Sequence, residues 1–230
     1  MKYLLIFVLV LASLIFVSRW QNTYSWRQEM TVTVQTPAGE VSGSSVSQIK
    51  WRKHSIRWAE GIGWDYDVTG EAVVVEVLPG RHLFALLKGA GTTEYMGSVA
   101  AASISGQKGR VIDGALFSEV AGNWGRASGV ITVPDYQYPL MVAFDDITDP
   151  TTVRQVVDPA NLAASFGPGV SLTSVTLEVN RESITDGNVE VVLGWLGPYP
   201  EPALGPATGG TTNIPFYRKV HMGEFLMSSE

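Results

Sequence analysis

The chain has 230 residues, a formal net charge of −6 and no cysteine. The lack of cysteine excludes thiol catalysis, thiolate metal sites and disulfide bonds, so the fold must depend on a hydrophobic core. The acidic balance argues against a nucleic-acid-binding protein, because such proteins neutralise phosphates with a basic surface. Length alone predicts one domain or two small ones.

The first segment is an uncharged apolar run over residues 3–17, preceded by Lys2. Such a run is typical of a signal-peptide core or a short membrane anchor, because a helix on a protein surface has an apolar stripe and not an apolar cylinder. The pair of small residues that a signal peptidase recognises is missing, and Arg19 and Trp20 suit a membrane interface. These features favour a retained anchor, with a cleaved signal peptide as the alternative.

We therefore interpret residues 1–20 as a signal anchor or signal peptide, with the membrane as partner of residues 3–20. A short N-terminal tail before the first apolar segment usually stays in the cytoplasm. The prediction is a single anchor in the inner membrane with the following domain in the periplasm. Cleavage would instead leave a periplasmic or secreted domain.

The chain after this segment predicts an antiparallel sheet. Residues 28–35 and 40–51 alternate apolar and polar side chains on either side of a Pro/Gly turn, which predicts a hairpin. Residues 66–78 are rich in β-branched side chains, and after Pro79-Gly80 the chain returns over residues 81–87 as a second hairpin.

The second half alternates short strands with short helices. Residues 170–179 alternate well enough for a strand, and Asp158-Pro159 has the composition of a helix start. Further strands are predicted at 130–133 and 140–144, and further short helices at 93–102 and 185–195.

The predicted fold class is α+β: a mainly antiparallel β-sheet, or two small sheets, with two or three short helices, preceded by one N-terminal membrane-directed helix. Residues 28–197 form the predicted mainly-β domain, with a candidate subdivision near 89–129. Residues 198–230 are a Pro/Gly-rich loop and a C-terminal segment.

Three stretches resemble known proteins: FDDITDPTTV at 144–153, VDPANLAASFGPGVSLTSVTLEV at 157–179 and VLGWL at 192–196. They are similar to segments of exported or membrane-anchored envelope proteins of Gram-negative bacteria that have no assigned activity. The resemblance implies a bacterial cell-envelope setting and no particular chemistry, so no catalytic residue is inferred from it.

One candidate metal site is the loop with Asp145, Asp146 and Asp149, which follows a predicted buried strand. Carboxylate oxygens are the ligands that Ca²⁺ and Mg²⁺ prefer. The loop lacks the central glycine and the final glutamate of an EF-hand. The alternative is ordinary turn chemistry, in which the aspartates cap backbone N–H groups.

A second candidate is a surface for a partner or a membrane in the Trp/basic stretch 50–64, with Trp51, Arg52, Arg57 and Trp58. Interleaved Trp and Arg side chains suit an interface with lipid or with a partner. The alternative is a strand with an aromatic face in the core and a charged face in solvent.

These features favour a non-catalytic, membrane-anchored cell-envelope protein that binds a protein or a ligand, with no nucleic acid among its partners. No cofactor is predicted, apart from Ca²⁺ or Mg²⁺ if the aspartate loop binds metal. The alternative is a hydrolase or metal-dependent enzyme that uses Asp145, Asp146 or Asp149 with a distant histidine. The geometry of the aspartate side chains distinguishes the two hypotheses. Carboxylates that converge on one point favour the enzyme, and carboxylates that cap backbone N–H groups favour the binding protein.

Overall fold

A computed structural model describes most of the chain after the N-terminal segment. The described residues are 6–8, 23–53, 64–89, 94–106, 123–124, 129–197, 204 and 214–227. Residues 6–8 are helical and exposed, and the rest of the predicted anchor lies outside the described residues. No helix in the described ranges is both long and apolar enough to cross a membrane.

The described residues form two antiparallel sheets with a few short helices, which confirms the predicted mainly antiparallel α+β class. The strands are β1 (Thr23–Thr36), β2 (Gly39–Lys53), β3 (Trp64–Glu71), β4 (Val73–Leu78), β5 (Arg81–Gly89), β6 (Val130–Thr132), β7 (Pro139–Phe144), β8 (Val153–Gln155), β9 (Ser171–Val179) and β10 (Leu226–Met227). The α-helices are α1 (Tyr95–Ser105), α2 (Ala163–Phe166) and α3 (Asn188–Val192). Short 3₁₀ helices cover Asp135–Gln137, Pro150–Thr152, Pro159–Asn161, Phe216–Arg218 and Met222–Glu224.

One sheet has six strands in the order β10-β3-β2-β1-β9-β6, and the other has four in the order β4-β5-β7-β8. The hairpin of β1 and β2 is the centre of the larger sheet. Met30, Val32 and Val34 point into the core, while the intervening threonines face outward, as the alternation predicts.

The β1–β2 hairpin is longer than its sequence pattern indicates. β1 begins at Thr23 and not at residue 28, because Trp26 and Gln28 also point inward and are buried. β2 continues to Lys53, and the pairing of Thr23 with Arg52 places the end of β2 beside the start of β1.

The predicted strand over residues 66–78 is divided between the two sheets. The strand breaks at Ala72, where the chain passes from β3 in the larger sheet to β4 in the smaller one. The N–H of Ala72 donates to the carbonyl of Phe225. β4 then crosses closely over β2, since a Cβ on Gly43 would overlap the carbonyl oxygen of Val74. Glycine is therefore required at this crossing.

The smaller sheet is buried on both faces. Leu83, Ala85 and Leu87 of β5 join the core between the two sheets, together with α1 and α2. The alternate residues Phe84 and Leu86 point the other way, into a second core. That second core is closed by α3 and the C-terminal segment 214–227, through side chains that include Val189, Leu193, Val220 and Phe225. The continuous apolar run in β5 follows from this double burial.

Helix α1 confirms the helix predicted at 93–102, although it continues to Ser105. Gly106 follows as its C-cap, with a left-handed φ of 68°. Its first eight residues are all buried. The predicted helix at 185–195 is reduced to α3, because Leu193 leaves the helical conformation.

Candidate functional site

The aspartate loop between β7 and β8 uses its carboxylates locally. Asp146 accepts hydrogen bonds from the backbone N–H and the hydroxyl of Thr148, at 2.9 and 2.7 Å. Asp149 accepts the same pair from Thr151, also at 2.9 and 2.7 Å. Each carboxylate therefore closes a turn of its own.

Asp145 has a different partner, since one carboxylate oxygen lies 2.6 Å from Nε of Arg154. The hydrogen bonds from Thr148 hold the pKa of Asp146 below its usual value. In the part of the chain that the structure describes, no three acidic or histidine side chains are grouped to hold a metal ion. Within this loop the geometry is that of capping carboxylates.

The Trp/basic stretch is divided between the core and the surface. Trp51 is 3% exposed and packs on Tyr66, with ring centroids 4.9 Å apart. Arg52 is exposed, and its guanidinium lies 4.0 Å from Asp67. Trp51 is thus a core side chain and Arg52 a surface one, while Arg57 and Trp58 lie outside the described residues.

A buried glutamine, Gln28, joins β1 to α1 and was not among the predicted site residues. The Gln28 amide nitrogen donates to the carbonyl of Met96 at 2.8 Å. Its amide oxygen accepts from the indole N–H of Trp26 at 2.9 Å and from that of Trp124 at 3.4 Å. All the contacts are internal, so this group has a structural role. The sequence does carry a sign of this role, because Gln28 is a polar residue at a position where the alternation of β1 places apolar side chains.

Glu71 is a buried carboxylate at the end of β3, with only 1% of the residue exposed. Its two oxygens accept the backbone N–H groups of Asn188 and Val189, each at 3.2 Å. Burial raises the pKa of Glu71, and the charge of Asp186 raises it further, while these N–H donors lower it in part. Glu71 therefore joins β3 to the start of α3.

A second buried carboxylate joins the C-terminal segment to β5. Glu224 lies 2.5 Å from the ammonium of Lys88, and its side chain is 9% exposed. Its other oxygen is buried without a hydrogen-bond partner among the described residues. This pair joins the segment 214–227 to the smaller sheet, and the pairing of β10 with β3 joins it to the larger one.

An open cleft of about 280 Å³ lies between the start of β1 and the end of β9. Its lining presents polar and apolar surface in similar amounts, from Ser25, Trp26, Arg27, Gln48, Val179, Asn180 and Arg181.

The Arg27 guanidinium lines this cleft and is fixed by hydrogen bonds. It donates to the carbonyls of Arg181 and Glu182, at 3.3 and 2.6 Å, and to the side-chain oxygen of Gln48 at 3.3 Å. Arg181 itself is exposed and forms no ion pair among the described residues. The cleft thus offers hydrogen-bond donors and one unpaired cation to a small polar or anionic group.

No family model, curated protein or solved structure matches this chain.

Proposed function

We propose that the protein is a non-catalytic, membrane-anchored cell-envelope protein, with residues 3–20 in the inner membrane and the β domain in the periplasm. The observation that carries the proposal is the short connection between the apolar segment and the fold. Only Gln21 and Asn22 separate Trp20 from Thr23, the first residue of β1. The resemblance to envelope proteins of Gram-negative bacteria supports the same setting.

The binding role is supported by the cleft beside Arg27 and Arg181, whose donors suit a ligand or a partner that presents an anionic group. The local hydrogen bonds of Asp146 and Asp149 also favour binding over metal-dependent hydrolysis, because these carboxylates already have partners.

The experiment that tests the membrane assignment is fractionation of cells that express the full chain, with the intact mass of the mature protein. We expect the chain in the inner-membrane fraction, resistant to carbonate extraction, at the mass of all 230 residues. Protease added to spheroplasts should degrade the domain from the periplasmic side. A soluble cytoplasmic chain of full mass would overturn the proposal, and a shortened soluble chain would establish a cleaved signal peptide.

A further inference from the structure

We infer that the end of the domain at which β1 begins is a contact surface for phospholipid headgroups, through Lys50 and Arg181. This inference rests on the proposed membrane anchor. The three Cα–Cα steps from Trp20 to Thr23 span at most about 11 Å, so this stretch cannot hold the domain far from a bilayer that contains residues 3–20. The start of β1 must therefore lie close to the headgroup layer.

The antiparallel register determines which residues share this end. Thr23 pairs with Arg52 and Ser25 with Lys50, so the end of β2 lies beside the start of β1. The N–H of Asn180 donates to the carbonyl of Arg27, which places the residues after β9 beside β1 about 13 Å from its start, in the same third of the strand. Three separate segments of the chain thus meet near the anchor.

The turn between Thr36 and Gly39 lies at the opposite end of the same hairpin. Because β1 has 14 residues and a strand rises about 3.3 Å per residue, the two ends are roughly 40 Å apart. The long strand therefore gives the domain a near end and a far end relative to the membrane.

The near end carries cations that are available to phosphate. Arg181 is exposed, Lys50 is half-buried opposite Asp67 in the β2–β3 pairing, and neither forms an ion pair among the described residues. Arg52 lies near Asp67, and Arg27 donates to backbone carbonyls. Acidic side chains are present as well, and one of them, Glu29, accepts a hydrogen bond from Asn180 at 2.7 Å. The surface is mixed, and its two unpaired cations suit individual headgroup phosphates.

Weak contacts are sufficient in this arrangement. Once the anchor is in the bilayer, the short connection keeps the domain close to the lipid. The cations then meet the headgroups at a high effective concentration, of the order of millimolar, and no strong binding site is needed. The overall net charge of −6 provides no long-range attraction to lipid, and the tether takes its place by bringing the cations to the headgroups.

The test uses the full chain in lipid nanodiscs and the absence of native cysteine, which allows single labelling sites. One variant, Glu182→Cys, places a fluorophore at the near end, and a second, Ala38→Cys, places it in the far turn. Lipids that carry a quencher on the headgroup report the proximity of each label. We expect several-fold stronger quenching at position 182 than at position 38.

Charge reversal then tests the two cations. Lys50→Glu and Arg181→Glu, each added to the labelled chain, should reduce quenching at position 182 by twofold or more. Lys219→Glu is the matched control, an exposed lysine on the C-terminal segment, and should change nothing. Added inorganic phosphate should not reduce the quenching if tethered lipid is the ligand.

The outcomes separate this inference from the proposed anchor. If the chain does not remain with the nanodiscs, the anchor itself is disproved. If the chain remains but positions 182 and 38 are quenched equally, or the charge reversals act no differently from Lys219→Glu, the lipid contact is wrong while the anchor stands.

Discussion

At the scale of single residues, the most constrained positions are glycines at which a Cβ would collide with a neighbouring segment. A Cβ on Gly97 would overlap the indole nitrogen of Trp51 and the ring of Tyr66, because α1 lies flat on these two side chains. Gly43 is confined in the same way by the backbone of β4. In each case the constraint comes from a distant segment of the chain.

Replacing Gly97 with alanine should therefore destabilise the protein, although alanine is the better helix former. We expect the free energy of unfolding to fall by roughly 1–3 kcal/mol, the usual cost of overpacking a core. Urea denaturation followed by tryptophan fluorescence measures it. Gly194→Ala is the matched control, because nothing lies within 4 Å of a Cβ at that position. Equal stability of the two variants would show that α1 does not pack on Trp51.

Glu71 predicts a pH dependence of stability. Burial raises its pKa in the folded state above the usual value of 4.5, so the folded protein holds this proton more tightly than the unfolded chain. Its contribution to stability is therefore fully present below pH 4.5 and is lost as the pH rises through the folded-state pKa.

The variant Glu71→Gln removes this titration. We expect its stability relative to the unmodified chain to improve as the pH rises from about 4 to 8, measured as urea midpoints across that range. The N–H groups of Asn188 and Val189 favour the ionised carboxylate, so losing these hydrogen bonds acts against the trend, and burial, which raises the pKa, is the larger effect. A stability difference that stays flat over this range would contradict the raised pKa.

At the scale of elements, the C-terminal segment is held on the smaller sheet by apolar burial and by one ion pair. Phe225 and Val220 are fully buried in the second core, and Lys88 pairs with Glu224 at the rim. The sequence predicts a Pro/Gly-rich loop after residue 197 and a segment over residues 216–227 that could dock back as a last strand or helix, but the pattern does not indicate the surface on which it docks. Docking depends on the outward face of β5, which is far away in the chain.

Removing one partner of this pair should loosen the segment. Lys88→Met leaves the Glu224 carboxylate buried without a cation, and we expect roughly 1–3 kcal/mol of destabilisation, below the full cost of a buried pair because Lys88 is 31% exposed. Hydrogen exchange should show faster exchange at the Ala72 amide, which donates to Phe225. The double variant Lys88→Met with Glu224→Leu should recover part of the loss. If it is no more stable than the single variant, the pair does not hold the segment.

At the scale of the whole molecule, the start of the folded domain is set by the core. Trp26 is 5% exposed and belongs to the core between the sheets, and Thr23 already pairs with Arg52. The folded unit therefore begins before residue 28, where the alternating pattern alone places it.

Two deletions test this boundary. Removing residues 1–22 should leave a soluble domain with a cooperative unfolding transition, because the described core begins at Trp26. Removing residues 1–27 deletes Trp26 and the partners of Gln48 to Arg52, and we expect a loss of several kcal/mol, as for a Trp removed from a core. Circular dichroism and thermal melts compare the two chains. Equal stability would place the start of the fold after residue 27.

The sequence by itself determined the class of the fold and the hairpins. Alternation in β1, β2 and β9 and the turns at Pro37-Ala38 and Pro79-Gly80 are local signals, because side-chain direction in a strand has a period of two residues. The aspartate caps are local as well: Asp149 and Asp158 bond to residues two positions further along the chain.

Only the tertiary structure decided how the sheets share their cores and where the candidate surface lies. The passage between sheets at Ala72, the burial of Glu71 and the cleft beside Arg27 all depend on contacts between segments more than 100 residues apart. Such contacts leave no periodic trace in the sequence, since each partner meets a surface that other parts of the chain create. Trp51 shows the difference, because its neighbours in sequence are charged and its neighbours in space are the rings and helix of the core.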